Sequence, residues 1–133
     1  MKKICLVITA RGNYAKLKSL IKILDKSNFF EVQIILGGSI VLEKYGKILE
    51  LDNTISHLVK KHIFFLIEGE TPLTMAKSGG VALTEFSSAF DELNPDLVVI
   101  IADRFECLPI AIAATYMNIL VAHIEGGNIR IYR

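Results

Sequence analysis

A chain of 133 residues has room for one domain, but it is too short for two ordinary domains. Its composition, 52% hydrophobic and 22% charged, excludes a disordered chain and is typical of a sheet covered on both faces. Fifteen basic and fourteen acidic residues give a formal net charge of +1, which excludes a broad basic surface for nucleic acid or an anionic membrane. An acidic ligand must therefore be held by a local site.

The first elements predicted along the chain form a strand, helix, strand unit. "KICLVITA" is a continuous apolar run, which predicts a central parallel strand. "NYAKLKSLIKILDKS" carries apolar residues at helical spacing, with Asn13 as a plausible N-cap. "FEVQIIL" predicts the second strand, which "GGS" ends. The crossover between two such parallel strands is expected to be right-handed.

The middle of the chain contains a weak segment and then a long helix. Residues 40–53, which include Tyr45 and Gly46, predict a short helix or a loop, and "HLVKKHIFFLI" contains a third strand. "TPLTMAKSGGVALTEFSSAFDELNP" predicts a helix that Thr71 caps and that ends at Asn94 and Pro95. The glycine pair within it, in "KSGGV", predicts a break in this helix.

The last elements are strand "DLVVIIA", helix "FECLPIAIAATYM" and strand "NILVAHI". The apolar run from Cys107 to Ile124 approaches the length of a membrane helix, but Pro109, Asn118 and His123 interrupt it, which favours a buried helix followed by a strand. The alternation of strands and helices predicts an open, doubly wound, parallel α/β sheet. Ligands bind such sheets beyond the carboxyl ends of the strands.

The N-terminal segment and the two cysteines indicate where in the cell the protein is located. "MKKICLVITARGN" begins like a secretion signal, but Arg11 stands where small residues are needed for cleavage, so no signal is expected. Cys5 and Cys107 have apolar neighbours and no metal-type spacing, which predicts reduced, buried thiols in a cytoplasmic protein.

Charged residues follow three of the predicted strands. Arg11 comes after the first strand, Asp103 after the fourth and Glu125 after the fifth, so all three are expected at one edge of a parallel sheet. An arginine can hold a phosphate or carboxylate through paired hydrogen bonds, and two carboxylates can divide general acid and general base duties. Arg11 is equally compatible with an exposed turn.

The other polar residues near these strand ends have structural alternatives. Asp103 and Glu106 form the D-x-x-E spacing that helix capping uses. His123, in an apolar setting, is more often a satisfied core histidine than a base. Glu125 is different, because capping or packing does not explain a carboxylate followed by Gly126 and Gly127 at the mouth of a buried strand.

Several familiar site patterns are missing from the sequence. No G-x-G-x-x-G follows the first strand, and no Walker pattern occurs. His57 and His62 have no partners at a metal-ligand spacing. Neither a metal nor a redox cofactor is predicted.

The segments "ITARGNYAKLKSLI", "MAKSGG", "NPDLVVIIADRFECLPIAIAA" and "NILVAHIEGG" resemble the N-terminal half of the hydrolysing UDP-N-acetylglucosamine 2-epimerases, in the branch used for sialic-acid-type sugars. The resemblance covers roughly residues 3–127, and the ordered pair "DRFE" and "HIEGG" is its most specific part. It implies a glycosyltransferase-B-type architecture of two Rossmann-like domains facing a cleft. It also implies elimination of the nucleoside diphosphate to a glycal, followed by addition of water, without a metal or redox cofactor.

The resemblance implies a role for each matching residue. Asp103 and Glu125 correspond to catalytic carboxylates of the family. The implied substrate-binding residues are Arg11, His123, Gly126 and Gly127. A nucleotide sugar is the implied partner, nucleic acid and membrane are not, and full-length members are expected to be homo-oligomers.

The resemblance ends after the glycine pair. The family continues with an acidic residue and Thr, a further catalytic carboxylate and a nucleotide-binding domain, whereas this chain continues "NIRIYR". We therefore expect an N-terminal Rossmann-like domain at 1–127, a divergent tail at 128–133 and no C-terminal nucleotide-binding domain. Such a half is expected to be inactive. The alternatives are a non-catalytic α/β interaction or sugar-binding module and a glycosyltransferase-B-type transferase domain, and the sugar could be N-acetylglucosamine or diacetylated bacillosamine.

Overall fold

A computed structural model of the chain describes residues 1–42 and 53–125. Within these residues the chain forms five strands and three α-helices. The strands are β1 (Lys2–Ile8), β2 (Phe30–Gly37), β3 (Val59–Ile63), β4 (Leu97–Ile101) and β5 (Leu120–Ile124). The helices are α1 (Arg11–Lys26), α2 (Pro72–Leu93) and α3 (Cys107–Tyr116), with short 3₁₀ turns at Gly38–Val41 and Ser56–Leu58.

The five strands form one parallel sheet in the order β3-β2-β1-β4-β5. The chain builds outward from β1 to β3 and then returns to the other side of β1 with β4 and β5. This is the order of the first five strands of a doubly wound sheet, and its switch point lies between β1 and β4. The predicted open parallel α/β sheet is therefore confirmed.

Both faces of the sheet are buried. Ile4, Leu6 and Ile8 of β1 join the core under α1, which contributes Leu17 and Ile21. The intervening β1 residues point to the opposite face, under α2 and α3, where the core contains Cys5, Val7, Phe86, Phe90 and Ile110. Because alternate strand residues face opposite sides, a strand covered on both sides must be apolar throughout. That requirement explains why half of the chain is hydrophobic.

The two apolar runs that resemble export or membrane signals have places in the sheet. The opening run is β1, the central strand. The run after Cys107 divides into α3 and β5, as predicted, and no helix among the described residues is long and apolar enough to cross a bilayer.

Two local predictions about the helices are wrong. Helix α1 begins at Arg11 with Ala10 as its N-cap, so Asn13 lies buried in the first turn instead of capping it. No side chain among the described residues caps this helix, and Leu17 in its second turn packs in the core beneath it. Helix α2 runs unbroken through Gly79 and Gly80. Its Thr71 capping box, Pro72 and the buried Phe86 and Phe90 outweigh two glycines at about 1 kcal/mol each.

The segment after β2 is defined in part. Gly38 adopts a left-handed φ of 61°, and a Cβ there would lie 3.1 Å from the Phe65 ring. This glycine lets the turn after β2 pack tightly against the residues that follow β3. The short helix or loop predicted at 40–53 falls largely on 43–52, outside the described residues, while Ile40 and Val41 belong to the 3₁₀ turn Gly38–Val41.

Candidate active site

The carboxyl ends of β1, β4 and β5 form the edge that carries the predicted site residues. Arg11 begins α1 after β1, and its side chain has no ion pair among residues 1–42 and 53–125. Strands β4 and β5 are adjacent, with Ile101 opposite Ile124, so Asp103 and Glu125 leave neighbouring strand ends. The structure thus brings the cation and both carboxylates to one edge, beside the switch point.

Two residues at this edge have an unusual backbone. Ala102 and Glu125 each follow the last paired residue of their strands, and both adopt left-handed φ angles, 65° and 56°. The Ala102 amide donates to the Ile124 carbonyl at 2.9 Å, which ties the two strand ends together. A left-handed backbone costs a residue with a Cβ about 1–2 kcal/mol, and such positions concentrate at functional sites.

Glu125 has a cationic partner that the sequence did not indicate. Lys16 Nζ donates to Glu125 Oε2 at 2.7 Å, and both side chains are about half exposed. Lys16 is an exposed residue of α1, next to the buried Leu17. No local signal could have revealed the pair, because the two residues are 109 positions apart in the chain.

His123 links β5 to the residue that precedes Asp103. Its Nε2 donates to the Ala102 carbonyl at 2.5 Å and lies 3.9 Å from Asp103 Oδ1. The prediction of a satisfied histidine is therefore right, but that of a core histidine is wrong, because a third of the side chain is exposed at the sheet edge.

The residues after Asp103 do not form a capping box. Helix α3 begins at Cys107 with Glu106 as its N-cap, and Glu106 makes no side-chain capping bond. Its carboxylate is buried and instead accepts from Arg104 Nε at 2.6 Å. Asp103 itself is exposed, so it is available to a ligand and is not committed to the helix.

A pocket of about 600 Å³ opens on the same edge, toward α2. Its wall combines residues that follow three strands, namely Ser39 after β2, Glu70 after β3, and Arg104 and Phe105 after β4, with the first turns of α2. Hydroxyl groups, the carboxylates of Glu68 and Glu70 and a guanidinium line it together with apolar side chains. Such a wall suits a polar ligand with hydroxyl groups. The sequence did not predict this pocket.

The two cysteines lie behind the site and are free and buried, as predicted. Burial raises the pKa of the Cys5 thiol to about 12. Burial also raises the pKa of Cys107, whose Sγ donates to the Ile101 carbonyl at 3.4 Å. Both are uncharged thiols at neutral pH, so neither is an activated nucleophile. Within the described residues, no cluster of His, Cys, Asp and Glu could hold a metal ion.

Gly126 and Gly127 lie outside the described residues, so their part in the site stays a prediction.

Three comparisons with known proteins place the chain. The family model described as UDP-N-acetylglucosamine 2-epimerase matches residues 22–131. GDP/UDP-N,N'-diacetylbacillosamine 2-epimerase (hydrolyzing) of Campylobacter jejuni is 31% identical over 96% of this chain and 33% of its own length. UDP-N-acetylglucosamine 2-epimerase of Neisseria meningitidis is also 31% identical, over 97% of this chain and 33% of its own length.

The fold agrees with a solved relative. The UDP-GlcNAc 2-epimerase of Methanocaldococcus jannaschii, in complex with UDP-GlcNAc and UDP, superposes with a TM-score of 0.74 at 26% identity, covering 94% of this chain and 33% of that one. Fold and site together define an α/β protein with carboxylates and cations at the edge of its parallel sheet. The chain belongs to the UDP-N-acetylglucosamine 2-epimerase family. It spans about a third of the length of the relatives that it matches.

Proposed function

We propose that this chain is the carboxylate-bearing part of a hydrolysing UDP-N-acetylglucosamine 2-epimerase. Residues 1–127 would be its N-terminal domain and 128–133 a divergent tail. The observation that carries the proposal is the placement of Asp103 and Glu125 at neighbouring strand ends, with Lys16 on Glu125, in a chain of this family.

The reaction has two steps that the site residues suit. In the first step the bond from the sugar C1 to the UDP oxygen breaks and the C2 proton leaves, which gives a glycal. In the second step a water molecule adds its hydroxyl to C1, and a proton returns to the other face of C2. The products are UDP and N-acetylmannosamine or a related 2-epimeric amino sugar. Both steps move protons at carbon and charge at oxygen, and positioned carboxylates and cations assist such movements.

The proposed roles follow from the positions of the residues. Asp103 and Glu125 transfer the protons. Arg11 and Lys16 stabilise negative charge that develops on the departing diphosphate. His123, Gly126 and Gly127 complete the substrate-binding edge.

The nucleotide sugar could be UDP-N-acetylglucosamine or its diacetylated bacillosamine relative, since the similar proteins carry both names. We further propose a cytoplasmic location, which the two free buried thiols support, and a homo-oligomer for the full-length protein.

The decisive experiment follows the reaction in D₂O by proton NMR. A form of the protein extended to the length of its relatives would be incubated separately with UDP-N-acetylglucosamine and the bacillosamine analogue. The proposal expects free UDP and a 2-epimeric sugar that carries deuterium at C2. Because a positioned acid or base typically contributes about 10²–10⁴ in rate, Asp103→Asn and Glu125→Gln should each lose at least about 100-fold. Glu31→Gln is the matched control, because this exposed carboxylate lies at the amino end of β2, away from the carboxyl ends of the strands.

Other outcomes would support the alternatives. Transfer of the sugar to an added acceptor, with no free 2-epimer, would identify a glycosyltransferase-B-type transferase. Substrate binding without release of UDP would favour a non-catalytic sugar-binding module. A product without deuterium at C2 would contradict the glycal route.

A further inference from the structure

Glu106 is the most deeply buried carboxylate among the described residues, with 1% of its side chain exposed. One oxygen accepts from Arg104 Nε at 2.6 Å, and the other, Oε2, has no hydrogen-bond partner within the described part of the chain. A buried carboxylate with a single donor is costly, and an unpaired oxygen adds to that cost. Such a residue needs an explanation other than stability.

Arg104, the partner of Glu106, lies at the pocket surface and not in the core. Arg104 lines the pocket of about 600 Å³, and 42% of its side chain is exposed. A guanidinium has five N–H donors, and only the one on Nε is used by Glu106. Among residues 1–42 and 53–125, the terminal nitrogens of Arg104 form no other ion pair, so they are available to a ligand.

The pocket contains a competitor for Arg104. Glu70, exposed and in a left-handed backbone conformation, stands on the wall of the same pocket. A long, flexible arginine without an anchor would lose rotamer freedom on binding and could pair with such a carboxylate instead of a ligand. The short bond to the buried Glu106 holds the guanidinium at the pocket wall before any ligand arrives.

We propose that Glu106 is a positioning residue of this enzyme, whose buried carboxylate holds the Arg104 guanidinium at the pocket wall so that its terminal N–H groups bind the nucleotide sugar. This inference rests on the proposed function for the identity of the ligand. Glu106 itself does not touch the substrate and acts through Arg104.

A positioning role of Glu106 can be distinguished from a role in stability. Removing one partner of a buried ion pair is destabilising when the remaining charge stays buried, but 42% of the Arg104 side chain is exposed, so water can solvate it when its partner is lost. Glu106→Met should therefore fold as stably as the wild type and yet lose the order of Arg104. Glu106→Gln retains an oxygen acceptor without the charge. The order of Arg104 in this variant should therefore be intermediate between that in the wild type and that in Glu106→Met.

The first measurement needs no ligand. The chain has four arginines, so their Nε–H signals are few in a spectrum of the ¹⁵N-labelled protein, and Arg104→Met identifies the signal of Arg104. In the wild type this proton should exchange slowly with water, and in Glu106→Met it should exchange as fast as that of the exposed Arg11. If Glu106→Met leaves the Arg104 signal protected, the proposal is overturned whatever the ligand data show.

The second measurement is a titration with UDP-N-acetylglucosamine, read as the initial slope of amide shift change against ligand concentration. Loss of a charge-assisted hydrogen bond predicts a slope about tenfold lower for Glu106→Met and for Arg104→Met. The double variant should be no weaker than Arg104→Met alone, since a residue that acts through another has no effect in its absence. Glu92→Gln, which removes the charge of a surface ion pair with Lys61, should bind as the wild type does.

The outcomes separate the two proposals. Equal slopes for Glu106→Met and the wild type, or additive losses in the double variant, overturn the positioning role while the proposed function stands. No shift change with the wild-type chain, even at ligand concentrations several-fold above about 1 mM, counts against the proposed function and removes the ligand-binding part of the inference. The exchange measurement still decides whether Glu106 orders Arg104.

Discussion

Glu125 combines three features that one residue rarely shows, namely a left-handed backbone, a position at a strand end and a lysine partner from another element. The backbone points its carboxylate toward the N-terminal half of α1 instead of along β5. A residue with an ordinary extended backbone would continue the strand, so the strain re-aims the carboxylate. Lys16 then holds it beside the edge where Arg11 and Asp103 lie.

The ion pair between Lys16 and Glu125 gives a prediction at this scale. Because both side chains are about half exposed, Lys16→Met should change the free energy of unfolding by less than about 1 kcal/mol. Release of UDP by the extended protein should nevertheless fall by about 100-fold, the typical cost of losing one charge-stabilising group. Chemical denaturation and a UDP-release assay measure the two quantities. Lys22→Met, on the exposed side of the same helix, should change neither, and equal activities of the two variants would exclude a role for Lys16.

Cys5 gives a second prediction, on alkaline stability. Its pKa rises from 9.0 in a solvated thiol to about 12 in the folded protein, because burial disfavours the thiolate. Between these two values the unfolded chain binds fewer protons than the folded one, so stability falls as the pH rises from about 9 toward 12. The difference between the two pKa values corresponds to a loss of up to about 4 kcal/mol.

Urea denaturation at a series of alkaline pH values checks this, with Cys5→Val as the reference because valine has no proton to lose. The wild type should lose stability more steeply than the variant above pH 9. Parallel curves would show that folding does not raise the pKa of Cys5.

At the scale of the element, the capping box at the N-terminus of α2 contributes to the stability of the helix. Thr71 Oγ1 accepts from the Thr74 amide at 3.1 Å, and Thr74 Oγ1 accepts from the Thr71 amide at 3.0 Å. Thr71→Ala should therefore destabilise the protein by about 1 kcal/mol. Thr84→Ala, the same substitution at an exposed position in the middle of the helix, should be neutral or slightly stabilising because alanine is the better helix former. Urea midpoints measure both, and similar losses for the two would contradict the capping role.

Gly38 and Gly80 have different structural roles, so the same substitution to alanine should have opposite effects on stability at the two positions. A Cβ on Gly80, inside α2, would meet nothing within 4 Å, so Gly80→Ala should stabilise the protein by about 0.5–1 kcal/mol. Gly38→Ala should destabilise it by more than about 1 kcal/mol, since it combines a left-handed φ with a Cβ close to Phe65. Thermal unfolding of both variants measures the difference. A destabilised Gly80→Ala would indicate that α2 needs flexibility at the glycine pair.

For the molecule as a whole, the sheet edge provides one wall of a site. The chain spans about a third of the length of its relatives, and Arg11, Lys16 and Arg104 are the cations that its described residues place near this edge. Loss of one stabilising donor typically costs about 10²–10³ in rate, and a site open on one side does not exclude water. We therefore expect residues 1–133 alone to give no steady turnover and to bind UDP-N-acetylglucosamine with a dissociation constant of about 1 mM or weaker.

A continuous assay for UDP with the purified chain tests this expectation, with Glu125→Gln as the control for contaminating activity. Steady release of UDP that Glu125→Gln abolishes would show that this wall is sufficient for the reaction.

The sequence by itself determined which segments become strands and helices, because apolar periodicity and turn residues are local features. It also determined that Arg11, Asp103 and Glu125 share an edge, since strands separated by helices pair in parallel and their carboxyl ends then coincide.

Only the tertiary structure decided what those residues touch. The ion pair of Lys16 with Glu125, the burial of Glu106, the hydrogen bond from His123 to Ala102 and the unbroken course of α2 all depend on packing between distant segments. A sequence pattern reports the preference of each segment for a conformation. The partner of a side chain depends on the distances that the assembled sheet imposes, and these exist only after the segments have packed.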